Sequence, residues 1–183
     1  MSKLNLSELK EFLDAKVVQY NTPDFIGSDP LQIPHRYTLK EDIEISGFLT
    51  ATIAWGNRKS IINNAKRLMS LMDDAPYQFV MQHQPKDLEP LNSFVHRTFN
   101  GLDCIQFMES LKHIYTNHNG LEGVFNTYAE VGSLQSAIHH LKQHFFEIDH
   151  LQRTQKHISD PLKKSAAKRI NMFLRWMVRP NDT

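Results

Sequence analysis

Cysteine is almost absent from this chain, whose 183 residues include only Cys104. One thiol cannot form an internal disulfide, and it cannot supply the several thiolates of an iron–sulfur cluster or a zinc–thiolate site. We therefore exclude the protein classes that depend on paired or clustered cysteines within one chain. We interpret Cys104 as a small buried side chain, because a nucleophilic role needs a nearby base that the sequence does not place.

Glycine is also scarce, at 7 residues, and the glycine motifs that bind phosphate or expose a nucleophile are missing. The sequence has no dinucleotide fingerprint, phosphate-binding loop or GxSxG elbow. It has no apolar run of the kind found in a secretory signal or a membrane span, which favours a cytoplasmic protein without membrane contact.

The chain also lacks a large excess of positive or negative charge, since it has 21 Lys and Arg and 20 Asp and Glu. The distribution is nevertheless uneven. Residues 151–183 hold eight Lys or Arg and two Asp, a net of +6, so the remaining residues sum to −5 within the total of +1. This asymmetry is typical of a protein with one phosphate-facing surface.

The segment 163–179 carries apolar residues at helical spacing on one side and cations on the other. Its apolar positions are Ala166, Ala167, Ile170, Phe173, Leu174, Met177 and Val178. The opposite side carries Lys164, Lys168, Arg175 and Arg179, with Arg169 at the flank. Such a helix can anchor in a core while it presents charge to a polyanion, although many helices are basic outside simply because that face is solvated.

Helical periodicity dominates the rest of the chain, and we predict an all-α fold of about seven to nine helices. The predicted helices cover 5–20, 40–54, 61–72, 101–118, 121–130, 133–148 and 163–179. The first opens with a capping box at Asn5 and Glu8 and has one apolar stripe. We expect 21–35 to be an extended loop because of its prolines. The fold is expected to form one domain over 1–183, or two lobes, 1–95 and 96–183.

Two short stretches between helices combine aromatic, amide and cationic side chains. In the turn 54–60, Trp55 is either a core anchor or part of a nucleic-acid contact that also uses Asn57, Arg58 and Lys59. In the stretch 96–101, a base could stack on Phe99 and bond to His96 or Asn100. An ordinary loop with an Asn-Gly turn explains the second composition almost as well.

Ten histidines raise the question of a metal site. His140 and His144 are one turn apart on a predicted helix, with His139 and Glu147 nearby. A pair at this spacing arises easily by chance on a solvated face, and no HExxH signature completes the set. We predict no metal site and no cofactor.

Three sequence blocks together resemble a bacterial family of conserved hypothetical proteins, domain of unknown function 2400. The blocks are DPLQIPH at 29–35 with EISGFLTATIAWGNR at 44–58, HRTFNG at 96–101, and SAAKRINMFLRWMVR at 165–179. More distantly, residues 47–51 with the following turn, and 163–167, resemble helix-hairpin-helix DNA glycosylases of the endonuclease III and archaeal 8-oxoguanine glycosylase type.

The glycosylase resemblance implies a base-excision repair protein that binds duplex DNA. Its mechanism would be attack of an amine on the anomeric carbon of a nucleotide turned out of the stack, with Lys164 as the implied nucleophile and Lys168 as the alternative. The residues implied to contact DNA, besides those of the turn 54–60, are Lys163, Arg169, Arg175 and Arg179.

The chain also departs from those glycosylases. The stretch 159–164 has no glycine where their hairpin is glycine-rich, and the iron–sulfur cysteines are absent. The resemblance implies that relatives continue beyond Arg179 into a catalytic Asp-Thr-His-type motif, so we expect a C-terminally shortened member with little catalysis. Two alternatives stay open: a non-catalytic nucleic-acid-binding protein, and a helical interaction module that self-associates through the shortened end.

Overall fold

The computed structural model describes residues 5–178, which fold almost entirely into helices. Nine α-helices, α1 to α9, span Leu6–Tyr20, Pro23–Ser28, Lys40–Thr52, Arg58–Ser70, Pro76–Gln82, Gly101–Asn117, Gly120–Tyr128, Gln135–Phe145 and Lys168–Met177. Five 3-10 segments span Pro30–Gln32, Pro34–Arg36, Pro85–Ser93, Gln152–His157 and Pro161–Lys163. The predicted all-α class is confirmed, and the helical segments outnumber the predicted seven to nine. Within 5–178, no helix has the length and apolar character needed to cross a membrane.

Strand structure within the described residues is confined to one very short hairpin. Strand β1 is Val95–His96 and strand β2 is Phe99–Asn100, and they pair antiparallel with His96 opposite Phe99. Arg97, in the turn between them, has a left-handed φ of 55°. Two-residue strands show no alternation in a sequence, so the hairpin was not predicted.

The first helix begins where its capping box predicts. The Asn5 side chain accepts a hydrogen bond from the Glu8 amide, and the Glu8 carboxylate accepts one from the Asn5 amide, both at 2.9 Å. No residue of α1 is buried, and Phe12 in its apolar stripe is 52% exposed. The periodicity therefore predicts this helix but not what its apolar side contacts.

The prediction of an extended loop over 21–35 is wrong. Pro23 begins α2, and Pro30 and Pro34 each begin a 3-10 segment. Proline lacks an amide hydrogen, but the first residues of a helix have no intrahelical acceptor, so nothing is lost there. These prolines start helical turns.

Helix α3 lies at the centre of the core. Every residue from Glu44 to Thr52 is buried, and α9 packs along this stretch. The ring of Phe48 has its centroid 5.6–6.1 Å from those of three phenylalanines on other helices, Phe107, Phe145 and Phe173. The apolar cluster includes residues from both halves of the chain.

The last helix is shorter than predicted, because it begins at Lys168 and not at 163. Lys164 and Ala167 have left-handed φ values of 62° and 44°, which a continuous right-handed helix cannot contain. Lys164 therefore does not share a helix face with Lys168. Arg179 lies outside the described residues.

Two buried glycines, Gly101 and Gly47, provide a matched test of this packing. A methyl group on Gly101 would lie 2.4 Å from the carbonyl oxygen of Asn92, whereas one on Gly47 would lie 2.8 Å from the terminal methyl of Met177. A backbone carbonyl cannot rotate away and a methionine side chain can. We expect Gly101→Ala to lower the free energy of unfolding by about 1–3 kcal/mol, and Gly47→Ala to lower it much less. Urea denaturation measures both, and equal decreases would contradict this account of the packing.

Candidate functional site

Three stretches that the sequence marks separately meet around the indole of Trp55. The ring of His96 lies edge-on to it, with centroids 5.2 Å apart, and the His96 Nε2–H donates to the Trp55 carbonyl at 3.2 Å. The ring of His157 stacks on it at 6.2 Å. The guanidinium of Arg169 lies over it at 4.8 Å, within the range of a cation–π interaction. We call Trp55, His96, His157 and Arg169 the Trp55 cluster.

Arg169 points inward and is used to hold the protein together. Its Nη1 donates to the carbonyl of Thr52 at the end of α3, and its Nη2 donates to the carbonyl of His157 at 3.2 Å. Burial lowers the pKa of this guanidinium from its usual value. The prediction of Arg169 as a DNA contact is therefore not supported by its position, because the guanidinium is half-buried and both of its terminal nitrogens donate to backbone carbonyls.

The fully buried carboxylate of Asp103 contacts one member of the Trp55 cluster, His157. It accepts hydrogen bonds from the Thr154 hydroxyl at 2.8 Å and from the Asn100 amide at 3.1 Å. Arg153 forms an ion pair with it at 3.2 Å, and His157 Nε2 lies 3.3 Å away. One buried negative charge thus joins the start of α6 to the 3-10 segment Gln152–His157.

Sequence reasoning missed Asp103, Thr154 and His157 as members of this site. One signal was available, because Asn100 and Asp103 have the spacing of a capping box and do form one. No local pattern identifies Thr154 or His157, whose partners lie about fifty positions away in the chain.

The structure does not form the predicted base pocket at 96–101. Phe99 has no exposed surface, since its ring packs against Phe94 and Phe107, and His96 is only 3% exposed. The Asn100 side chain accepts from the Asp103 amide at 3.3 Å and caps α6. These three residues are core and capping residues in this conformation, so a base could reach them only if the hairpin opened.

The turn 54–60 places its polar residues at a helix start. Gly56 has φ +102°, which favours glycine, and the Asn57 side chain caps α4 by accepting from the Ser60 amide at 3.1 Å. Arg58 and Lys59 follow in the first turn of α4 and are exposed. The guanidinium of Arg97 lies beside Gly56, where an added Cβ would come within 3.0 Å of its Nη1. Arg97, which the sequence analysis did not select, therefore joins this corner.

Four of the predicted cations of the C-terminal segment point outward, Arg169 points inward, and Arg179 lies outside the described residues. Lys163, Lys164, Lys168 and Arg175 are exposed. None of the four forms an ion pair with another residue of 5–178. Their charge is thus available to an external ligand on the part of the surface that the structure describes.

Comparison with known proteins identifies a family but no activity. A family model described as "Protein of unknown function (DUF2400)" matches residues 29–183. No curated protein and no solved structure matches the chain. The glycosylase resemblance therefore receives no support from these comparisons.

The Trp55 cluster predicts a dependence of stability on pH. Burial lowers the pKa of His157 from its usual 6.5, and Asp103 opposes this shift only in part. The unfolded chain thus binds a proton on His157 at a higher pH than the folded chain does. The stability that depends on a neutral His157 is therefore present above the unfolded pKa and is lost as the pH falls from the unfolded pKa to the folded one. We expect the free energy of unfolding to fall as the pH drops below about 6.5, the pKa of an unperturbed histidine, and His157→Gln to flatten that slope.

Urea denaturation at a series of pH values measures the effect, with His35→Gln, a change at an exposed histidine, as the control. A slope that is the same in His157→Gln and in the unmodified chain would show that His157 does not carry the dependence.

Proposed function

Since the chain belongs to the DUF2400 family of proteins of unknown function, its role must be inferred from its own surface, and we propose that it binds duplex DNA. The proposed contact is a cationic surface formed by Arg97, Lys156, Lys163, Lys164, Lys168 and Arg175. The phosphate backbone is the part of DNA that such a surface recognises.

The observation that carries this proposal is the direction in which the charges of the C-terminal segment point. Residues 151–178 contain seven Lys or Arg and one acidic residue, Asp160, a net of +6. Asp160 is buried, and its carboxylate accepts from His139 Nδ1 and from the Leu162 amide, both at 3.0 Å. The one local carboxylate is thus turned inward, while most of the cations are turned outward.

The cationic surface begins at the Trp55 cluster. Lys156 precedes His157 and Lys168 precedes Arg169 in the chain, and Arg97 lies beside Gly56. These three cations thus belong to three separate segments that each contribute to, or border, the Trp55 cluster. Because Arg169 already covers the Trp55 ring, we expect phosphate contacts at this point and not stacking of a base on the indole.

Two exposed cations on α9 continue the cationic surface along the helix axis. Lys168 and Arg175 are exposed and seven residues apart, which places them on the same helix face and about 10 Å apart along its axis. The other side of α9 packs against α3 through Phe173, so the helix is held rigidly. A rigid row of cations favours binding to the DNA backbone with little preference for sequence.

This proposal predicts a strong dependence of binding on salt. We expect a labelled duplex to bind with an affinity that falls as the salt concentration rises, because binding releases counterions from the phosphates. The triple variant Lys163→Ala, Lys164→Ala, Lys168→Ala should bind more weakly at every salt concentration. Its slope of log K against log salt should be shallower by about 0.9 for each phosphate that the variant no longer neutralises. Fluorescence anisotropy at several salt concentrations measures both.

The control removes the same number of charges elsewhere, through Lys10→Ala, Lys16→Ala and Lys86→Ala, which lie on α1 and on the 3-10 segment Pro85–Ser93. It should leave the slope nearly unchanged. Affinity that hardly varies with salt, or an equal weakening in the control, would refute the proposed surface.

A repair role of the glycosylase type is the narrower form of this proposal, and it assigns the nucleophile to Lys164 or Lys168. The amine nitrogen bonds to the anomeric carbon, and the base leaves with the electrons of its glycosidic bond. After the nitrogen has lost a proton, its lone pair expels the ring oxygen, which takes up a proton, and borohydride reduces the open-chain protonated imine that results. Both amines are exposed and neither is paired with a carboxylate of the described residues. Neither amine therefore lies in an enclosed pocket of the kind that receives a flipped nucleotide.

We accordingly expect DNA binding without lysine chemistry. Incubation with a duplex containing an abasic site or 8-oxoguanine, followed by borohydride, should give no covalent adduct on a denaturing gel. An adduct that disappears when Lys164→Ala and Lys168→Ala are combined would instead establish the glycosylase-type mechanism. An adduct that survives both changes would show that another amine reacts.

A further inference from the structure

Three histidines surround one carboxylate on the surface formed by α6, α7 and α8. The Nε2 atoms of His113 and His118 lie 2.8 Å and 3.0 Å from the same oxygen of Glu147, its Oε2. The Nδ1 of His144 contacts the other oxygen, Oε1, at 2.5 Å. The ligand atoms of His113, His118 and Glu147 all lie within 4.8 Å of one another.

The helical framework fixes these side chains from three directions. His113 lies near the end of α6, and His118 is the residue that caps it. Glu147 lies two residues beyond α8, whose last turn contains His144. The α6–α7 turn is held closely, because a methyl group on Gly123 would lie only 2.4 Å from the carbonyl oxygen of His118.

The histidines that the sequence places one helical turn apart, His140 and His144, have different hydrogen-bond partners in the structure. His140 stacks on the ring of Tyr128 with centroids 3.9 Å apart, and its neighbour His139 pairs with Asp160. His144 and Glu147 instead meet two residues of α6 and its cap that no local spacing connects to them. The converging set is therefore different from the pair that the sequence suggests.

The chemistry of this set fits a divalent transition metal. Zn²⁺ prefers imidazole nitrogens together with a carboxylate oxygen, commonly as two histidines and one glutamate with a fourth position left for water. Adjacent ligands of a tetrahedral zinc ion are about 3.3 Å apart when the bonds are about 2.0–2.1 Å long. The observed nitrogen–oxygen separations of 2.8 Å and 3.0 Å would need to widen by a few tenths of an ångström, and the two imidazole nitrogens, which lie within 4.8 Å of each other, would need to be held at about the same spacing by rotation of their side chains.

We propose that His113 Nε2, His118 Nε2 and the Glu147 carboxylate bind one Zn²⁺ ion, with a fourth position open to solvent. The Glu147 side chain is 42% exposed and the two imidazoles about one-fifth exposed, so an ion can enter without unfolding. His144 is a positioning residue, since it bonds to the second carboxylate oxygen and its Nε2 is within 3.1 Å of the Tyr128 hydroxyl.

One of the three proposed ligands, His113, borders a surface cleft. His113 and Asn117 line this cleft of about 560 Å³ together with Glu109, Lys112 and Asp149. A metal at this wall would act as a Lewis acid toward a ligand in the cleft, and it would make a bound water more acidic. This inference is independent of the DNA-binding proposal, because it uses no residue of the cationic surface.

The test is metal binding by the full-length chain after its metal has been removed with a chelator. We expect titration with Zn²⁺ to give one ion per chain, and Co²⁺ to give visible absorption bands typical of four-coordinate nitrogen and oxygen ligands. His118→Ala and Glu147→Gln should each weaken Zn²⁺ binding by at least about tenfold and should abolish the Co²⁺ bands. His144→Gln should weaken binding while it retains those bands, since it leaves all three ligands in place.

The control is His139→Gln, which breaks a single histidine–carboxylate pair on the same helix α8 and should leave Zn²⁺ binding unchanged. Circular dichroism confirms that each variant is folded, and added Zn²⁺ should raise the unfolding temperature of the unmodified chain but not of Glu147→Gln. Binding below one ion per chain, or binding that survives both His118→Ala and Glu147→Gln, would overturn the proposal. The four residues would then be a hydrogen-bonded contact between helices.

Discussion

The packing of the C-terminal segment against the core depends on the contacts that the Arg169 guanidinium makes. The guanidinium joins the end of α3 to the 3-10 segment Gln152–His157, because it donates to the carbonyls of Thr52 and His157. Carbonyls at the end of a helical segment have no intrahelical donor and need another partner. The same group covers Trp55, so the start of α9 is held against α3 by a cation, two carbonyls and an aromatic ring.

The inward position of Arg169 also explains how the basic C-terminal segment can pack against the core and still present positive charge to solvent. A charge removed from water needs hydrogen-bond acceptors, and Arg169 obtains them from backbone carbonyls and the face of an indole. Lys163, Lys164, Lys168 and Arg175 have no ion-pair partner among the described residues and stay in water. One inward cation therefore fixes the segment, and the outward ones give it a polyanion-facing side.

The carboxylates of Asp103 and Glu147 are surrounded by different kinds of hydrogen-bonding group. Around Asp103, a fully buried carboxylate is satisfied by a hydroxyl, an amide and a guanidinium, which is the usual requirement for a buried charge. Around Glu147, a half-exposed carboxylate is met by three imidazoles, which is the combination of nitrogen and oxygen groups that zinc prefers. The contacts of Asp103 accordingly join α6 to the 3-10 segment Gln152–His157, whereas those of Glu147 have the composition of a ligand site.

The sequence by itself determined the all-α class, the capping boxes and the position of most helices, because these depend on residues three or four positions apart. It also located the excess positive charge near the C-terminus. It did not show that Pro23, Pro30 and Pro34 begin helical turns, that α9 begins only at Lys168, or that Phe99 is buried.

Only the tertiary structure decided which of the basic and histidine side chains meet a partner. Arg169 and Thr52 are 117 positions apart, and His113 and Glu147 are 34 positions apart. Contacts over such separations depend on how helices cross, which is set by the packing of the whole core around α3. Local periodicity contains no information about that packing, so it could not distinguish the inward arginine from the outward lysines.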